Sequence, residues 1–422
     1  MSDDLDILSV HFQFPGGRAL PLREPATDRE LGEEPEWIRD RRNAPVAYVR
    51  GSRPTVRAVF LTSFACPETI EIAAWGSWGG GAGPGDDGPL LRRREVRLAQ
   101  DRADLTEPIE LELSRPLPDR IGLHTLSLSW YAFWSEEGAE EPVRVLIGTT
   151  THTVCTTWRA PLERSEEGLW ASVLAPLMLW TCAWCAGKDS PREICDAILA
   201  SLPASNLRYG IPGWSLRYML LRGGGMCGGW NRLFQAMAGC QGVFVERRTF
   251  RLRWGGGGEG EARWSALVRR RGGINQPFLS EATSTYGTFA ELRGPYPVPA
   301  GQAPVVERVE ERRYCVWGSA DGRGDGHCIN LLAEDGEVLI YDPSFHQRSF
   351  AARMSLPPRD GSALPPEQTR AFKQVYLDET FELLLGTVEL GGTRYVADER
   401  RGEHGLAVPA RLVSDLELVW GR

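Results

Sequence analysis

The amino-acid sequence predicts an α+β protein in which an antiparallel β-sandwich precedes a domain of helices and antiparallel strands. Two observations predict this fold class. Residues 1–160 carry runs that alternate apolar and polar side chains at a period of two, which is typical of strands with one buried face. After Pro161, segments with helical spacing alternate with short strand signals. We therefore place the sandwich at 1–160 and a second domain at 161–422, with its core at 165–350 and a C-terminal β extension at 375–422.

Strand signals in the first domain are separated by turn-rich segments, and several strands at this spacing are typical of a β-sandwich. The strongest are TVRAVFLTSF (55–64), REVRLA (94–99), IELELS (109–114), HTLSLSWYAFW (124–134) and RVLIGTTTHTVCTTW (144–158). Such a domain could offer a binding surface to a partner protein.

The second domain mixes both kinds of element. Helices are predicted at 168–186, 193–202 and 230–239, and strands at 243–254, 314–318, 327–333, 338–343, 379–390 and 410–420. Pro176 should kink or split the first helix. Ser190 and Pro191 are a typical N-cap and first-turn pair for the second helix. The glycine-rich segment 255–262 and the proline-rich segment 294–304 are expected to be mobile at the surface.

Composition narrows the possible partners and compartment. The 422 residues are 42% apolar and 25% charged, which is ordinary for a globular protein of two or three domains. A net charge of −8 argues against nucleic acid or an anionic membrane as a partner. No secretory signal or membrane-length apolar run is evident. The 9 cysteines lack a disulfide-framework spacing, so we expect reduced thiols and a cytoplasmic location.

Cys227 is the candidate nucleophile, because it lies where the glycine-rich segment GGGMCGG (223–229) meets the start of a helix. The positive end of a helix dipole and unpaired amide groups should lower the pKa of a thiol there. The same amides, including that of Gly228, could stabilise an oxyanion. A small buried cysteine beside a flexible loop is the alternative interpretation.

The same glycines also fit a dinucleotide-binding fingerprint. Gly223, Gly225 and Gly228 have the GxGxxG spacing, and Glu246 follows at about the required distance. The run before the glycines contains Arg217, whereas a central parallel strand should be nearly all apolar. No second βαβ unit follows. Dinucleotide binding therefore stays as an alternative function.

A predicted hairpin brings His327 close to Asp342. The dipeptide Asp335-Gly336 between two apolar runs is a strong signal for a two-residue turn. That turn makes Asp342 the diagonal neighbour of His327, with side chains close enough to touch. This register places four apolar side chains on the same face as His327 and Asp342, namely Ile329, Leu331, Val338 and Ile340. The polar side chains of Asn330, Glu334 and Glu337 lie on the opposite face.

An aspartate beside a histidine fixes the tautomer of the ring and stabilises the imidazolium, as in a catalytic triad. A pair that only ties the hairpin together is an equally good interpretation of these residues alone. His346 is a lesser candidate for the base, because it follows Pro343 outside the regular register.

The segments GMCGGWNRLFQAMAGCQGV, GHCINLL and VLIYDPSF together resemble the transglutaminase-like superfamily, over about 165–350. The resemblance implies a papain-like fold with helices packed on an antiparallel sheet, and acyl transfer through a thioester. It assigns Cys227 as the nucleophile, His327 as the general base and then acid, and Asp342 as the orienting carboxylate. Trp214 and Gly228 are candidates for the oxyanion or substrate site. Two departures are Ile329, where the family often has an aromatic residue, and a long insertion at 255–311.

We expect a cysteine peptidase or amidase acting on a protein or peptide substrate, with no cofactor and no metal. A catalytically silent scaffold that carries a β-sandwich binding module is the non-enzymatic alternative. The lone pair Cys182-x-x-Cys185 lacks a second pair at zinc spacing and is expected to be buried structure. Cys240 and Cys328 are expected to pack in the core.

Overall fold

The computed structural model describes the following residues: 5–13, 22–62, 68–78, 88–98, 105–136, 141–162, 173–209, 215–252, 263–270, 292–295, 315–317, 327–351, 366–390, 393–400 and 416–419. The protein combines helices with a larger share of strands in mainly antiparallel sheets, so its mixed α+β class agrees with the sequence. Contacts divide the chain into two compact units. The first holds Met1–Ile194 and Gly239–Val243, and the second holds Cys195–Ala238 and Phe244–Arg422.

The first unit contains most of the strands that the alternating pattern predicts. Its strands are β1 (Leu5–Gln13), β2 (Leu22–Arg23), β3 (Trp37–Ile38), β4 (Arg42–Asn43), β5 (Val46–Val49), β6 (Thr55–Thr62), β7 (Thr69–Trp78), β8 (Leu91–Arg97), β9 (Ile109–Glu112), β10 (Gly122–Trp134), β11 (Val143–Thr157) and β12 (Val173–Leu174). They form two five-stranded sheets, in the orders β4-β3-β1-β6-β9 and β5-β11-β10-β7-β8, and the short pair β12-β2.

One apolar core joins the two large sheets of this unit. Strand β6 alternates buried and exposed residues along its length, and its inward side chains include Phe60. From the other sheet, Leu128 and Trp130 enter the same core and are fully buried. Burial of each such side chain contributes about 2 kcal/mol to folding. The period-two pattern therefore determines which faces of the two sheets pack against each other.

Two helices follow, α1 (Ala175–Trp184) and α2 (Pro191–Ser201). The prediction that Pro176 interrupts a helix over 168–186 is wrong in its bounds. The proline lies in the first turn of α1, where its missing N–H costs nothing, and the two residues before α1 form β12. At the start of α2, the Ser190 hydroxyl accepts from the Glu193 N–H at 3.2 Å and donates to the Glu193 carboxylate at 3.2 Å, as the predicted helix start requires.

The second unit holds the remaining elements. These are β13 (Arg208–Tyr209), α3 (Leu216–Arg222), β14 (Gly224–Gly225), α4 (Cys227–Cys240), β15 (Glu246–Leu252), β16 (Arg263–Arg270), β17 (Leu292–Pro295), β18 (Cys315–Trp317), β19 (His327–Glu334), β20 (Glu337–Asp342), β21 (Gln347–Ala351), α5 (Pro366–Thr380), β22 (Phe381–Leu390), β23 (Thr393–Arg400) and β24 (Leu416–Val419). Two five-stranded sheets have the orders β21-β20-β19-β15-β24 and β17-β23-β22-β16-β18.

The hairpin β19–β20 has the predicted register. Glu334 pairs with Glu337, and the turn residues Asp335 and Gly336 both have positive φ, at 52° and 78°. A two-residue turn with both residues in that region is the type that matches the twist of a hairpin. Both faces are buried, since Asn330 on the second face is 0% exposed. The hairpin is therefore enclosed on two sides.

Two other expectations are wrong in part. The region given as a C-terminal β extension from residue 375 begins inside α5, which ends at Thr380. The insertion 255–311 contains strands β16 and β17, and β17 takes in the start of the segment expected to be mobile. Among the residues that the structure describes, no helix has both the length and the apolar composition needed to cross a bilayer.

Candidate active site

The glycine-rich segment before α4 has a structural reason for each of its first three glycines. Gly223 ends α3 with a φ of 79°, the left-handed conformation that glycine adopts without strain. A Cβ on Gly224 would lie 2.0 Å from the backbone oxygen of Arg208, because β14 pairs there with β13. A Cβ on Gly225 would meet the side chain of Met219 at 2.9 Å. The glycines thus bring the chain tightly into the start of α4.

Cys227 is the first residue of α4, as the sequence predicts. The hydrogen bonds of the helix begin here, because the Trp230 N–H donates to the Met226 carbonyl at 3.0 Å. Cys227 is not in a disulfide and keeps part of its surface exposed, whereas Gly228 behind it is buried. The thiol therefore lies at the positive end of the α4 dipole.

His327 and Asp342 are in direct contact, as the hairpin register predicts. The Nε2 atom of His327 lies 2.6 Å from Oδ2 of Asp342, and the two residues are 4% and 1% exposed. A carboxylate can only accept, so Nε2 carries the proton and Nδ1 is the basic nitrogen of the neutral ring. The ring of Phe345 lies 4.8 Å from the imidazole, centroid to centroid.

Four donors hold the Asp342 carboxylate. Its Oδ1 accepts from the backbone N–H groups of Ser344 at 3.0 Å and Phe345 at 3.1 Å, which closes the turn after β20. Its Oδ2 accepts from the hydroxyl of Tyr376 on α5 at 2.6 Å, besides the contact with His327. Burial raises the pKa of Tyr376 well above its usual value, and the neighbouring carboxylate raises it further, so the hydroxyl remains a donor. The turn after β20 holds one oxygen of this carboxylate, and Tyr376 and His327 hold the other, so the position of Asp342 is fixed.

Asn231 joins α4 to the hairpin. Its Nδ2 donates to the Cys227 carbonyl at 2.9 Å and to the Cys328 carbonyl at 2.6 Å. Its Oδ1 accepts from Nδ2 of Asn330 at 2.8 Å. Both asparagines are 0% exposed, where an unmet amide group would cost about 1–3 kcal/mol. This pairing places the N-terminus of α4 against the start of β19.

The thiol of Cys227 has a second thiol as its neighbour. A hydrogen bond with Cys328 raises the pKa of Cys227 well above the usual value, followed by burial and, last, by the charge of Asp342. The same hydrogen bond lowers the pKa of Cys328 to about 6 against the opposing effect of burial. The two thiols therefore titrate as one coupled pair. The sequence predicts a lowered pKa for Cys227, and the neighbouring thiol reverses that direction.

The structure places two of the five predicted site residues, His327 and Asp342, in direct contact. Asp342 binds His327, and its charge acts on the thiol of Cys227. Gly228 is the second residue of α4, directly beside this cluster. Trp214 lies outside the described residues. The lesser candidate His346 instead has its Nε2 2.7 Å from the Leu199 carbonyl.

Three residues of the cluster were missed or misjudged by sequence reasoning. Asn231 lies one helical turn after Cys227, so its spacing was a usable signal. No sequence signal indicates Tyr376, because this residue lies far along the chain in a segment with no motif. Cys328 is 7% exposed and packs in the core as predicted, but its hydrogen bond with the thiol of Cys227 was missed.

The motif Cys182-x-x-Cys185 is part of the buried core, as the sequence predicts. Cys182 and Cys185 are each 0% exposed, and burial raises the pKa of Cys185 to about 12. Within the described ranges, no three histidine, cysteine or acidic side chains are grouped so that they could hold a metal ion.

Comparisons with protein-family models and with curated proteins found no match to this chain.

Proposed function

We propose that the protein is a cysteine hydrolase or acyltransferase that acts on amide bonds through a thioester. In this proposal a β-sandwich domain precedes a transglutaminase-like catalytic domain. Cys227 is the nucleophile, His327 the base and Asp342 the orienting carboxylate. The observation that carries the proposal is the buried contact of 2.6 Å between His327 and Asp342, with the thiol of Cys227 within range of the aspartate charge.

The first chemical step is a proton transfer. Because the raised pKa of Cys227 keeps its thiol protonated, a base must take the proton as the sulfur attacks. Nδ1 of His327 is the basic ring nitrogen, since Asp342 holds the proton on Nε2. The sulfur then adds to the amide carbonyl, and the amide groups at the start of α4 stabilise the oxyanion.

Collapse of the tetrahedral intermediate requires an acid. The imidazolium of His327 gives its proton to the departing nitrogen, so ammonia or an amine leaves and a thioester on Cys227 remains. Water or a second amine, deprotonated by His327, then attacks the thioester and regenerates the thiol. Asp342 stabilises the imidazolium in both half-reactions, and the Tyr376 hydroxyl holds that carboxylate in place.

The geometry favours this proposal over dinucleotide binding. The fingerprint needs a strand directly before its first glycine, and the chain has α3 there instead. Gly223 also has a local role as the C-cap of α3, and Gly225 packs on Met219. These glycines are explained without a nucleotide.

The partial exposure of Cys227 speaks against a silent scaffold. A pair that only tied the hairpin together would need neither an accessible thiol nor the start of a helix beside it. We therefore propose a protein or peptide amide as the substrate, with hydrolysis preferred over cross-linking because water is always present. A cytoplasmic location, no nucleic-acid or membrane partner, and a partner protein at the β-sandwich complete the proposal.

The test is turnover of fluorogenic peptide amides, together with incorporation of a fluorescent primary amine into a glutamine-rich protein. Cys227→Ala should lose more than about 10³-fold in kcat/KM for whichever reaction the wild type performs. Cys195→Ala is the matched control, since Cys195 is fully buried in the same unit and should leave kcat/KM within about threefold. Equal turnover by wild type and Cys227→Ala would refute the proposal, and so would the absence of turnover of every amide and amine tested in the wild type.

A further inference from the structure

The thiol of Cys328 has no part in the proposed reaction, yet it lies directly against the nucleophile. The two side chains share a hydrogen bond, and the backbone N–H of Cys328 also donates to the sulfur of Cys227. On its other side, Sγ of Cys328 lies 3.5 Å from the hydroxyl of Thr249. The Cys328 thiol thus has two polar neighbours, Thr249 and Cys227.

The backbone of the two cysteines is held together as well. One amide group, Nδ2 of Asn231, donates to both carbonyls, at 2.9 Å for Cys227 and 2.6 Å for Cys328. Asn330 in turn holds the oxygen of Asn231. A disulfide requires sulfurs about 2.05 Å apart and Cα atoms within roughly 7 Å. Thiols that already share a hydrogen bond need a movement of only roughly 2 Å to reach that length.

A second pair of cysteines provides the contrast. Cys155 and Cys182 also share a hydrogen bond between their thiols, in the first unit. Both are 0% exposed, and that hydrogen bond and burial raise the pKa of Cys155 well above its usual value. Cys227, by contrast, keeps part of its surface exposed, and its pair carries a thiolate near neutral pH. Among the described cysteines, Cys227 is the one that is not buried, so its pair is the more accessible of the two to a small oxidant.

We propose that Cys227 and Cys328 are a modification site, at which a hydroperoxide converts the two thiols into a reversible disulfide. In the first step the thiolate of Cys227, formed by passing its proton across the shared hydrogen bond, attacks one peroxide oxygen. The O–O bond breaks, hydroxide leaves, and Cys227 becomes a sulfenic acid. The sulfur of Cys328 then attacks that of Cys227, its proton leaves with the hydroxyl group as water, and the S–S bond forms. With hydrogen peroxide the sum is two thiols and one peroxide to one disulfide and two waters.

The consequence for activity rests on the proposed function. A disulfide removes the nucleophilic sulfur, so amide turnover stops until a dithiol reductant restores the pair. Cys328 then protects Cys227, because a sulfenic acid captured as a disulfide cannot proceed to the irreversible sulfinic acid.

Mass spectrometry tests the disulfide without any measurement of turnover. The folded chain is treated with 1–10 equivalents of hydrogen peroxide (roughly stoichiometric conditions), alkylated with iodoacetamide and digested with trypsin. Cleavage after arginine places Cys227 in the peptide 223–232 and Cys328 in the peptide 324–348. We expect these two peptides linked, and separated again by dithiothreitol, with the Cys155 and Cys182 peptides unlinked. Oxidation of Cys227 to the sulfinic acid without a link, or a link between other cysteines, would overturn the inference.

A variant shows what the second thiol does. Cys328→Ser should convert peroxide treatment from a reversible to an irreversible modification, with two oxygens added to Cys227 and no recovery in dithiothreitol. Cys182→Ala is the matched control, because it removes one thiol of the enclosed pair and should leave the 227–328 link intact. Full recovery of unmodified Cys227 in Cys328→Ser would show that Cys328 does not resolve the oxidised sulfur. A disulfide in wild-type protein that lacks all amide turnover would remove the proposed function and leave this inference standing.

Discussion

Two buried histidines, one in each unit, differ in what surrounds them. His152 in the first unit is 2% exposed, and its Nε2 lies 2.7 Å from the Thr150 hydroxyl, which also accepts from the Trp130 indole. Burial lowers the pKa of His152 to about 3. His327 in the second unit is 4% exposed, but its partner is the carboxylate of Asp342. The two rings are similarly buried, but only the ring of His327 has a carboxylate as its hydrogen-bond partner.

The cysteine pairs show the same contrast. The Cys155–Cys182 pair is fully buried, and its shared hydrogen bond and burial raise the pKa of Cys155 well above the usual value. The pair of Cys227 and Cys328 lies at a helix N-terminus beside a charged cluster, and one of its protons is lost at a pKa of about 6. The two units offer the same residue types, a buried histidine and a pair of neighbouring thiols. Charged neighbours and access from solvent separate a reactive site from inert core.

The largest expected effect is a loss of kcat/KM that occurs on substitution of His327 but not of His152. His327→Ala should lower kcat/KM for the amide substrate by about 10³-fold or more, because it removes the proposed base and acid of both half-reactions. His152→Gln, in the first unit, should leave kcat/KM within about threefold, although it lowers the melting temperature. Steady-state kinetics of the two purified variants make the comparison. Similar losses in both would mean that His327 acts only through stability.

A smaller effect tests the hydroxyl that holds Asp342. Tyr376→Phe removes a donor to a charged acceptor, worth about 1.5–3 kcal/mol, so kcat should fall about tenfold or more with KM little changed. The carboxylate would then hold the imidazolium more strongly, and the acid limb of the kcat/KM–pH profile should move to higher pH.

Tyr341→Phe is the matched control for that variant, because the Tyr341 hydroxyl also binds a carboxylate, that of Asp196 at 2.9 Å. It should lower stability without moving the pH profile. An unmoved profile in Tyr376→Phe as well would assign Tyr376 to structure alone.

The smallest effect is on the pH dependence of stability in the first unit. The pKa of His152 is near 6.5 in the unfolded chain and about 3 in the folded one. Below pH 6.5 the unfolded chain therefore binds a proton that the folded chain does not, and stability falls as pH falls towards 3. Between pH 7 and 5.5 the loss should be about 1 kcal/mol.

Urea unfolding at both pH values measures this loss, and His152→Gln should reduce it. Ile72→Val, a change in the same core, should lower stability by about 1 kcal/mol at both pH values and leave the difference between them intact. A wild-type stability that does not change between pH 7 and 5.5 would contradict the neutral state of His152.

Much of the local structure was predictable, because its causes lie within a few residues. The turn at Asp335-Gly336 determines the pairing of Glu334 with Glu337, and that pairing alone brings His327 to Asp342. Ser190, directly before α2, and Glu193, in its first turn, determine the start of that helix in the same way. Bounds were less predictable where one residue type serves two purposes, as Pro176 does by starting a helix that it was expected to interrupt.

The sequence by itself determined the strand alternation of the first unit, the helix that begins at Cys227 and the hairpin that joins imidazole to carboxylate. Only the tertiary structure decided which groups surround that hairpin. Asn231, Tyr376 and Cys328 lie on three elements far apart in the chain, and no local pattern encodes the contacts that bring these elements together. The protonation of a thiol depends on the charges and donors within a few ångströms of it. The pKa of Cys227 was therefore decided by a neighbour 101 positions away in sequence.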